Sequence, residues 1–302
     1  MGCAQGALSK LCVEPGSSAH VFDTNSEPYD FLYESMQKNP RIIGGHGIRG
    51  TREQSQERTQ LGAYTVGGRI AMNVDKVMLD AMLPRILGAA EATDVFALAE
   101  TLPSFGVLID RVTNTHEYED CVVDKAIIHG KAMSSDGGPE MLELILEVVG
   151  KDENLGTSYP SLTLSTDGDS RPLMHHHGVF TFASAAREVK EFWLLIDNHI
   201  QPRWVNSQIA TQLCPRDRSI VFKAIVPYDS GTSGLYSSQA IAGAGGTIVW
   251  TGPTTTTTVT FGTLQNEISS PVVRGKTEID MSVTLYARKT GSTASISITN
   301  AT

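Results

Sequence analysis

The stretch Glu140-Met-Leu-Glu-Leu-Ile-Leu-Glu-Val-Val-Gly-Lys151 alternates apolar and polar residues and ends on a glycine and a basic residue. This period of two predicts a half-buried β-strand. The same pattern returns in Glu278-Ile-Asp-Met-Ser-Val-Thr-Leu-Tyr-Ala-Arg-Lys-Thr-Gly291. The tripeptide Thr59-Gln60-Leu61 also returns as Thr211-Gln212-Leu213, 152 positions later (211 minus 59) in a chain of 302 residues. Elements repeated at half the chain length indicate a duplicated β unit, which favours a protein that works by its shape and contacts.

A long strand and a helix are predicted early in the first unit. Residues 64–74 alternate apolar and polar side chains, which predicts a strand. Asp75 follows as a typical helix N-cap, so a helix is expected to begin at Lys76. Pro84 is expected to kink or end this helix, because proline lacks the N–H that a helix interior requires. The helix is expected to pack on the core through residues at helical spacing: Val77, Met78, Ala81 and Met82.

Alternation predicts the remaining strands of a mainly β fold with two tandem sandwich or half-barrel units, each with a small flanking helix. The second helix is expected at residues 233–239, and the strands at 105–112, 120–130, 140–149, 189–196, 219–226, 247–251, 257–263 and 277–288. A polar stretch after Asp152 marks the boundary between the units. The predicted division is an arm (1–30), in which Cys12 and Val13 could add a short strand, a first unit (31–152), a linker (153–180) and a second unit (181–302).

The charge balance excludes some classes of function. A net charge of −9 and a pI of about 5.4 argue against tight nucleic-acid binding, which depends on neutralising phosphates with Lys and Arg. The same acidity is compatible with a channel along which DNA slides, because a negative wall repels the phosphate backbone. Four scattered cysteines form no disulfide framework, so reduced thiols are expected. With no recognisable secretory signal and no apolar run near ~20 residues, a soluble protein without a membrane partner is expected.

Three adjacent histidines, His175, His176 and His177, form the one cluster that suggests chemistry. Neighbouring residues of an extended chain point to opposite faces, whereas zinc ligands usually converge from spaced positions. A polar linker is therefore the stronger interpretation, and a metal hydrolase assisted by Asp167 and Asp169 the weaker one. The chain contains no nucleophile elbow, P-loop, dinucleotide-binding fingerprint or zinc-protease motif, so neither catalysis nor a cofactor is expected.

A polar, glycine-rich loop is expected at residues 44–60. Loops longer than ~12–15 residues are uncommon in compact domains and are usually functional or disordered. Two interpretations stay open: a solvated hairpin tip, or a segment that orders against a neighbouring copy. In the second case the contacts are expected from the polar residues of the loop: His46, Arg49, Arg52, Glu53, Glu57 and Arg58.

Several of these segments resemble the major tail tube proteins of long-tailed, non-contractile phages. In the first half the resemblance lies in Asn39-Pro-Arg-Ile, the Gly47-Ile-Arg-Gly50 loop, Gly68-Arg-Ile-Ala-Met-Asn-Val74, Tyr118-Glu-Asp-Cys-Val-Val-Asp-Lys-Ala-Ile-Ile128 and the strand at 144–151. In the second half it lies in Phe192-Trp-Leu-Leu-Ile-Asp-Asn198 and the strand at 279–287. The resemblance covers most of the chain from about residue 30 and includes no catalytic motif.

Resemblance to this family implies a β-sandwich whose inner strands join those of other copies in a ring around a channel for double-stranded DNA. It implies stacking through the long hairpin loop, partners such as the tail terminator, tail tip and tape-measure proteins, and a place in the virion tail after assembly in the host cytoplasm. On strand alternation, the residues expected to face the channel are Glu143, Glu147, Asp280 and Thr284.

The duplication adds an expectation about the ring. Family members with one unit form sixfold rings, so a chain with two units is expected to form a trimeric, pseudo-hexameric ring that stacks head to tail. A ring of six full-length copies is the alternative. A function of a different class also stays open: a β-sandwich binding module or adhesin-like surface protein that forms no tube.

Overall fold

The computed structural model describes residues 5–15, 21–45, 51, 53, 56–133, 140–164, 171–230, 232, 235, 243–252, 255–268, 270–273, 276 and 278–301. Within these residues the structure is mainly antiparallel β-sheet with one α-helix, so the predicted mainly β class is confirmed. The helix is α1 (Lys76–Leu87). The strands are β1 (Lys10–Pro15), β2 (Glu27–Tyr29), β3 (Tyr33–Glu34), β4 (Gln37–Asn39), β5 (Ile42–Gly44), β6 (Thr59–Leu61), β7 (Thr65–Asn73), β8 (Val95–Phe96), β9 (Phe105–Asp110), β10 (Thr115–Lys131), β11 (Glu143–Gly150), β12 (Asp152–Leu155), β13 (Gly178–Phe182), β14 (Ala185–Arg187), β15 (Glu191–Asp197), β16 (Gln201–Arg203), β17 (Gln212–Cys214), β18 (Ser219–Pro227), β19 (Ala244–Thr251), β20 (Thr256–Ile268), β21 (Asp280–Arg288) and β22 (Ile296–Ala301).

The two halves of the chain, β1–β12 and β13–β22, repeat one pattern of strand pairing. In the first half β1 pairs with β2 and β9, β10 pairs with β9, β11 and β12, β7 pairs with β3, β4 and β11, and β5 pairs with β6. In the second half β13 pairs with β14 and β19, β20 pairs with β19, β21 and β22, β18 pairs with β15 and β21, and β16 pairs with β17. Each described pairing of the second half therefore has a counterpart in the first.

The counterparts also agree in register. Strand β7 begins at Thr65 and β18 at Ser219, and they end at Asn73 and Pro227, so both ends differ by 154. The pair β3–β4 spans 33–39 and β15 spans 191–197, a difference of 158 at both ends. Strand β11 begins 137 positions before β21. A shift of 137 positions places Glu147 at Thr284. Glu147 lies opposite Arg69 and Thr284 lies opposite Lys223, and these two partners differ by 154 positions, as β7 and β18 do.

One antiparallel sheet runs through both halves. Its order is β3–β4, β7, β11, β10, β15, β18, β21 and β20, with β3–β4 counted as one interrupted strand. The first four strands come from the first half and the last four from the second. The two sets meet where β10 pairs with β15. The chain therefore builds an eight-stranded sheet from two similar sets of four strands, one from each half.

The strand pairing groups some residues differently from the predicted division of the chain. The predicted arm contains β1, over the expected Cys12 and Val13, and β1 pairs with β9 of the first half. The predicted linker contains a short 3-10 turn at residues 175–177 and runs into β13, which pairs with β19. Buried residues of both halves belong to one hydrophobic cluster, so the halves share a core.

Helix α1 begins where the sequence predicts and continues beyond the predicted end. The Asp75 carboxylate accepts a hydrogen bond from the Met78 N–H at 2.8 Å, which confirms the N-cap. Pro84 does not end the helix: it lies inside α1, which continues to Leu87 and stops before Gly88 in the left-handed conformation (φ 101°). Val77 was expected in the core but is 36% exposed, because the buried side of the helix is formed by Met78, Leu79, Met82, Leu83, Ile86 and Leu87. The second predicted helix lies outside the described residues except for Leu235.

Asn198 connects the two halves at the end of β15. Its side-chain amide donates hydrogen bonds to the carbonyls of Ile86 and Val123, both at 3.1 Å. Its side-chain oxygen accepts a hydrogen bond from Arg218 Nε at 2.7 Å. Asn198 is 1% exposed, so three hydrogen bonds in the interior depend on one side chain.

Candidate assembly surface

Strand β10 of the first half pairs antiparallel with β15 of the second half, edge to edge, which is also how strands of two separate chains pair. Lys125 lies opposite Asp197, and Lys131 lies opposite Glu191. Polar side chains also connect the strands: Lys125 Nζ is 3.8 Å from Asp197 Oδ2, and His129 Nε2 is 3.0 Å from Glu191 Oε1. Partly exposed ion pairs contribute at most ~1 kcal/mol each, so the backbone ladder supplies most of this contact. Such a ladder is also the means by which one chain extends the sheet of another.

One face of the eight-stranded sheet, called here the open face, carries polar and charged side chains. In β11 and β21 burial alternates residue by residue, with the apolar side chains in the core. The charged residues of the open face are the cations Arg69, Lys125, Lys131, Lys223 and Arg288 and the carboxylates Glu143, Glu147, Glu191, Asp197, Glu267 and Asp280. Five cations against six carboxylates leave this face close to neutral, so the acidity of the chain is not concentrated there.

The four residues predicted to face a channel all lie on the open face. Glu143, Glu147 and Thr284 are partly exposed and Asp280 is exposed. Glu147 forms ion pairs with Arg69 and Lys125 in the neighbouring strands. The structure therefore places these residues on the polar side of their strands, and their position in a channel stays a prediction.

The first strand of the sheet, β3–β4, has a described strand on one side only, which is β7. Its course is interrupted at Ser35 and Met36, where the backbone passes so close to Gly68 that a Cβ there would overlap Ser35. Side chains satisfy Met36: its N–H donates to Glu34 Oε2 at 2.9 Å, and its carbonyl accepts from Tyr118 Oη at 2.8 Å. Such irregularities protect an edge strand from indiscriminate pairing. The regular part of this edge is therefore β4.

The predicted 44–60 loop connects a short hairpin. Strand β5 pairs with β6, with Ile42 opposite Leu61, and both of these side chains are exposed. Glu53, Glu57 and Arg58 are exposed as well. His46, Arg49 and Arg52 lie outside the described residues, so the choice between a solvated tip and an intermolecular contact stays open.

A second hairpin, β16–β17, was missed by the sequence reasoning. Its loop reaches the first half, where Gln208 Nε2 donates to the Leu61 carbonyl at 2.8 Å and Trp204 Nε1 donates to the Tyr64 carbonyl at 3.2 Å. The recurrence of Thr-Gln-Leu was the available signal, because Leu61 in β6 and Leu213 in β17 occupy corresponding strands.

The histidine cluster does not form a common site. His175 is buried, its Nε2 lies 2.8 Å from the Val189 carbonyl and its ring stacks at 5.7 Å from that of Phe192, so the interpretation as a polar linker is wrong for this residue. His176 is exposed and directs Nδ1 to Glu140 at 2.6 Å. Among the described residues, no three His, Cys, Asp or Glu side chains are arranged to hold a metal.

Burial of His175 is expected to make stability depend on pH. Desolvation lowers the pKa of His175, against the opposing effects of the Val189 carbonyl and Glu140, while nearby His129 and His176 lower it slightly. The unfolded chain therefore takes up this proton first, and stability is lost as the pH falls below about 6.5. We expect the free energy of unfolding to fall less steeply from pH 7 to pH 5 in His175→Phe than in the unmodified chain, as measured by urea titration. Parallel pH profiles would contradict a buried neutral imidazole.

Comparison with known proteins does not place the chain in a family. No family model matches it, and no curated protein sequence matches it. No helix in the described part of the chain has the length and apolar character required to cross a membrane.

Proposed function

We propose that this protein is the tube subunit of a long-tailed, non-contractile phage tail, in which it polymerises as stacked rings around the channel for DNA ejection. The observation that carries the proposal is the eight-stranded sheet, in which two halves of the same topology are joined edge to edge. The same kind of edge-to-edge strand pairing can also join one copy of the chain to another. Repetition of one contact around an axis then closes a ring.

The dimensions of such a ring favour three copies. Three sheets of eight strands make 24 strands, and at ~4.8 Å per strand and a tilt of ~40° they close at a diameter of about 48 Å. A side-chain layer ~5 Å thick on each wall leaves about 38 Å, which admits a hydrated DNA duplex. Two copies leave about 22 Å by the same reasoning, which is too narrow for a duplex with its water and ions.

The open face suits the wall of this channel. It is the polar side of the sheet, and its cations and carboxylates nearly balance. Several are paired, as Glu147 is with Arg69 and Lys125. A wall of this kind offers no continuous basic stripe to hold phosphates, so DNA can move along it. The terminator, tip and tape-measure proteins are the partners that this role requires at the tube ends and inside it.

The hairpins suggest a second contact between copies. Within the chain, the β16–β17 loop donates a hydrogen bond to the Leu61 carbonyl at the end of β6. The corresponding loop of the first half, residues 44–60, is proposed to reach a neighbouring copy, in the same ring or in the next one.

We expect purified protein to form rings of three full-length copies and, at higher concentration, tubes. Negative-stain microscopy of the particles and native mass spectrometry of isolated rings measure this directly. Rings of six full-length copies would contradict the proposed stoichiometry. Dispersed monomers at every concentration would contradict the tube itself and would favour a β-sandwich binding module. That the protein is not an enzyme stays a prediction.

A further inference from the structure

The end of the linker, residues 173–177, closes the β7–β11 ladder of the first half. The Leu173 N–H donates a hydrogen bond to the Val74 carbonyl at 2.7 Å, and the Leu173 carbonyl accepts one from the Leu142 N–H at 2.8 Å. All three residues are buried. The linker end therefore satisfies backbone groups of the first half and covers its core just before the chain enters the second half.

The pairing of the linker end continues toward β13. Met174 lies opposite Met141 as an isolated antiparallel bridge, and the His175 N–H donates to the Glu140 carbonyl at 2.6 Å. The chain then passes through the 3-10 turn at 175–177 into β13. The linker end thus forms a short antiparallel strand against the segment that leads into β11.

The second half has the same strand ends without this added strand. By the shift of 154 positions Tyr228 corresponds to Val74, and by the shift of 137 Ile279 corresponds to Leu142. The Tyr228 N–H donates to the Ile279 carbonyl at 2.9 Å, as their counterparts do in the first half. Within the described part of the chain, the Tyr228 carbonyl and the Ile279 N–H take part in no hydrogen bond. The second half therefore has a slot at the position that Leu173 fills in the first.

The residues before β1 have the same local structure as the linker end. A three-residue 3-10 turn precedes each strand, at Gly6–Leu8 before β1 and at 175–177 before β13, so the turns are 169 positions apart (175 minus 6). The ladders give the same shift. Through β9 and β19, Val13 and Phe182 align with the residues that precede the bulges of β10 and β20, and 182 minus 13 is again 169.

We propose that the segment leading into β1 of one copy fills the slot on a second copy, as an antiparallel strand with Gln5 opposite Glu278. Gln5 corresponds to Met174 by the shift of 169, and Glu278 corresponds to Met141 by the shift of 137. Inside the chain the linker end lies where the first half meets the second. Its counterpart therefore lies where the second half of one copy meets the first half of the next. This inference rests on the proposed ring and specifies one contact between its subunits.

The exposure and charge of these residues are compatible with the contact. Tyr228 is 37% exposed, whereas its counterpart Val74 is 1% exposed, so the slot leaves uncovered a position that is buried in the first half. Leu8 in the arm is also exposed. Gln5 is neutral, and Glu278 forms an ion pair with Lys190 of its own chain, so no like charges meet. Strand addition depends mainly on backbone hydrogen bonds, so it tolerates polar residues in place of the two methionines.

Disulfide trapping tests the pairing of Gln5 with Glu278. In the first half Met141 and Met174 form a non-hydrogen-bonded pair, because the backbone hydrogen bonds lie on either side of them. The Cα atoms of such a pair are ~4.5 Å apart, which is within the range that a disulfide spans. The variant therefore carries Gln5→Cys and Glu278→Cys.

Two native thiols are removed from every variant and two are kept. Cys3 and Cys214 are replaced by serine. Cys12 and Cys121 remain, because burial raises the pKa of Cys12 to about 12 and also raises that of Cys121, so neither thiol is reactive.

The matched control combines Gln5→Cys with Ser282→Cys. Ser282 is exposed and lies four residues beyond Glu278, which is ~14 Å along an extended chain. We expect mild oxidation of assembled rings to link Gln5→Cys to Glu278→Cys at least ~10-fold faster than to Ser282→Cys, with covalent trimers as the largest product on non-reducing gels. Rings assembled from an equal mixture of the two single-cysteine variants should yield covalent dimers only.

Three results would overturn this contact while leaving the ring intact: a Ser282 control that links as fast, a link formed within one chain, or no link in either variant. Absence of rings and of links at any protein concentration would overturn both the contact and the proposed function.

Discussion

Replacing Phe192 with alanine is expected to lower the free energy of unfolding by roughly 3–5 kcal/mol, the range measured for deletion of a buried phenylalanine ring. The Phe192 ring is fully buried, and its centroid lies 5.1 Å from that of Phe180, 5.9 Å from that of Phe222 and 5.6 Å from that of Trp250. Loss of the ring leaves a cavity in this cluster and weakens β15, which joins the two halves. Urea unfolding at one fixed protein concentration measures the change.

The neighbouring residue provides the control for this experiment. Trp193 points to the open face and stacks on the His129 ring at a centroid distance of 5.2 Å. Trp193→Ala removes a larger side chain but creates no enclosed cavity, so its cost is expected to be about 1 kcal/mol. Equal losses for the two variants would show that the aromatic cluster does not stabilise the fold as described.

Replacing Asn198 with alanine is expected to cost about 3–5 kcal/mol for a different reason. The carbonyls of Ile86 and Val123 and the guanidinium of Arg218 each lose a hydrogen bond to the Asn198 side chain. Burial already lowers the pKa of Arg218, which shows that its charge is held in a poorly solvated place. The loss of an interior hydrogen-bond partner costs the desolvation of each group left behind.

Two further variants sharpen this prediction. Asn198→Asp keeps an acceptor for Arg218 but removes both donors to the carbonyls, so it is expected to recover only part of the stability. Asn154→Ala removes an exposed amide that bonds Glu119 and is expected to change stability by less than ~0.5 kcal/mol. A loss below 1 kcal/mol for Asn198→Ala in the same urea titration would contradict its role in connecting the halves.

The parts of this fold that could be predicted are those that depend on single side chains or on residues close together in the sequence. Strands β7, β11, β18 and β21 were predicted within a few residues, because buried apolar residues alternate with more exposed ones along most of each strand. The cap at Asp75 was predictable because the hydrogen bond to Met78 spans three residues. The end of the helix was not, because core contacts of Ile86 and Leu87 outweigh the interruption at Pro84.

The candidate site was predictable only in part. Alternation placed Glu143, Glu147, Asp280 and Thr284 on one side of their strands, and the structure brings them onto one face. His175 was misjudged, because a histidine run is polar by composition while the turn at 175–177 directs one ring into the core. The second hairpin and the junction of β10 with β15 were missed, because the residues that meet there are about 70 positions apart, as Lys125 and Asp197 are (197 minus 125 is 72).

From the amino-acid sequence one can read where the long alternating strands lie, which of their sides is buried, and that the order of elements occurs twice. Which strands are neighbours, and so which edges end the sheet, depends on the packing of the whole chain. The physical reason is that burial depends on the side chain, whereas pairing depends on backbone N–H and C=O groups that are nearly the same at every residue. The sequence of a strand therefore indicates which of its faces is buried. It does not indicate which strand will lie beside it, because that depends on how the rest of the chain packs.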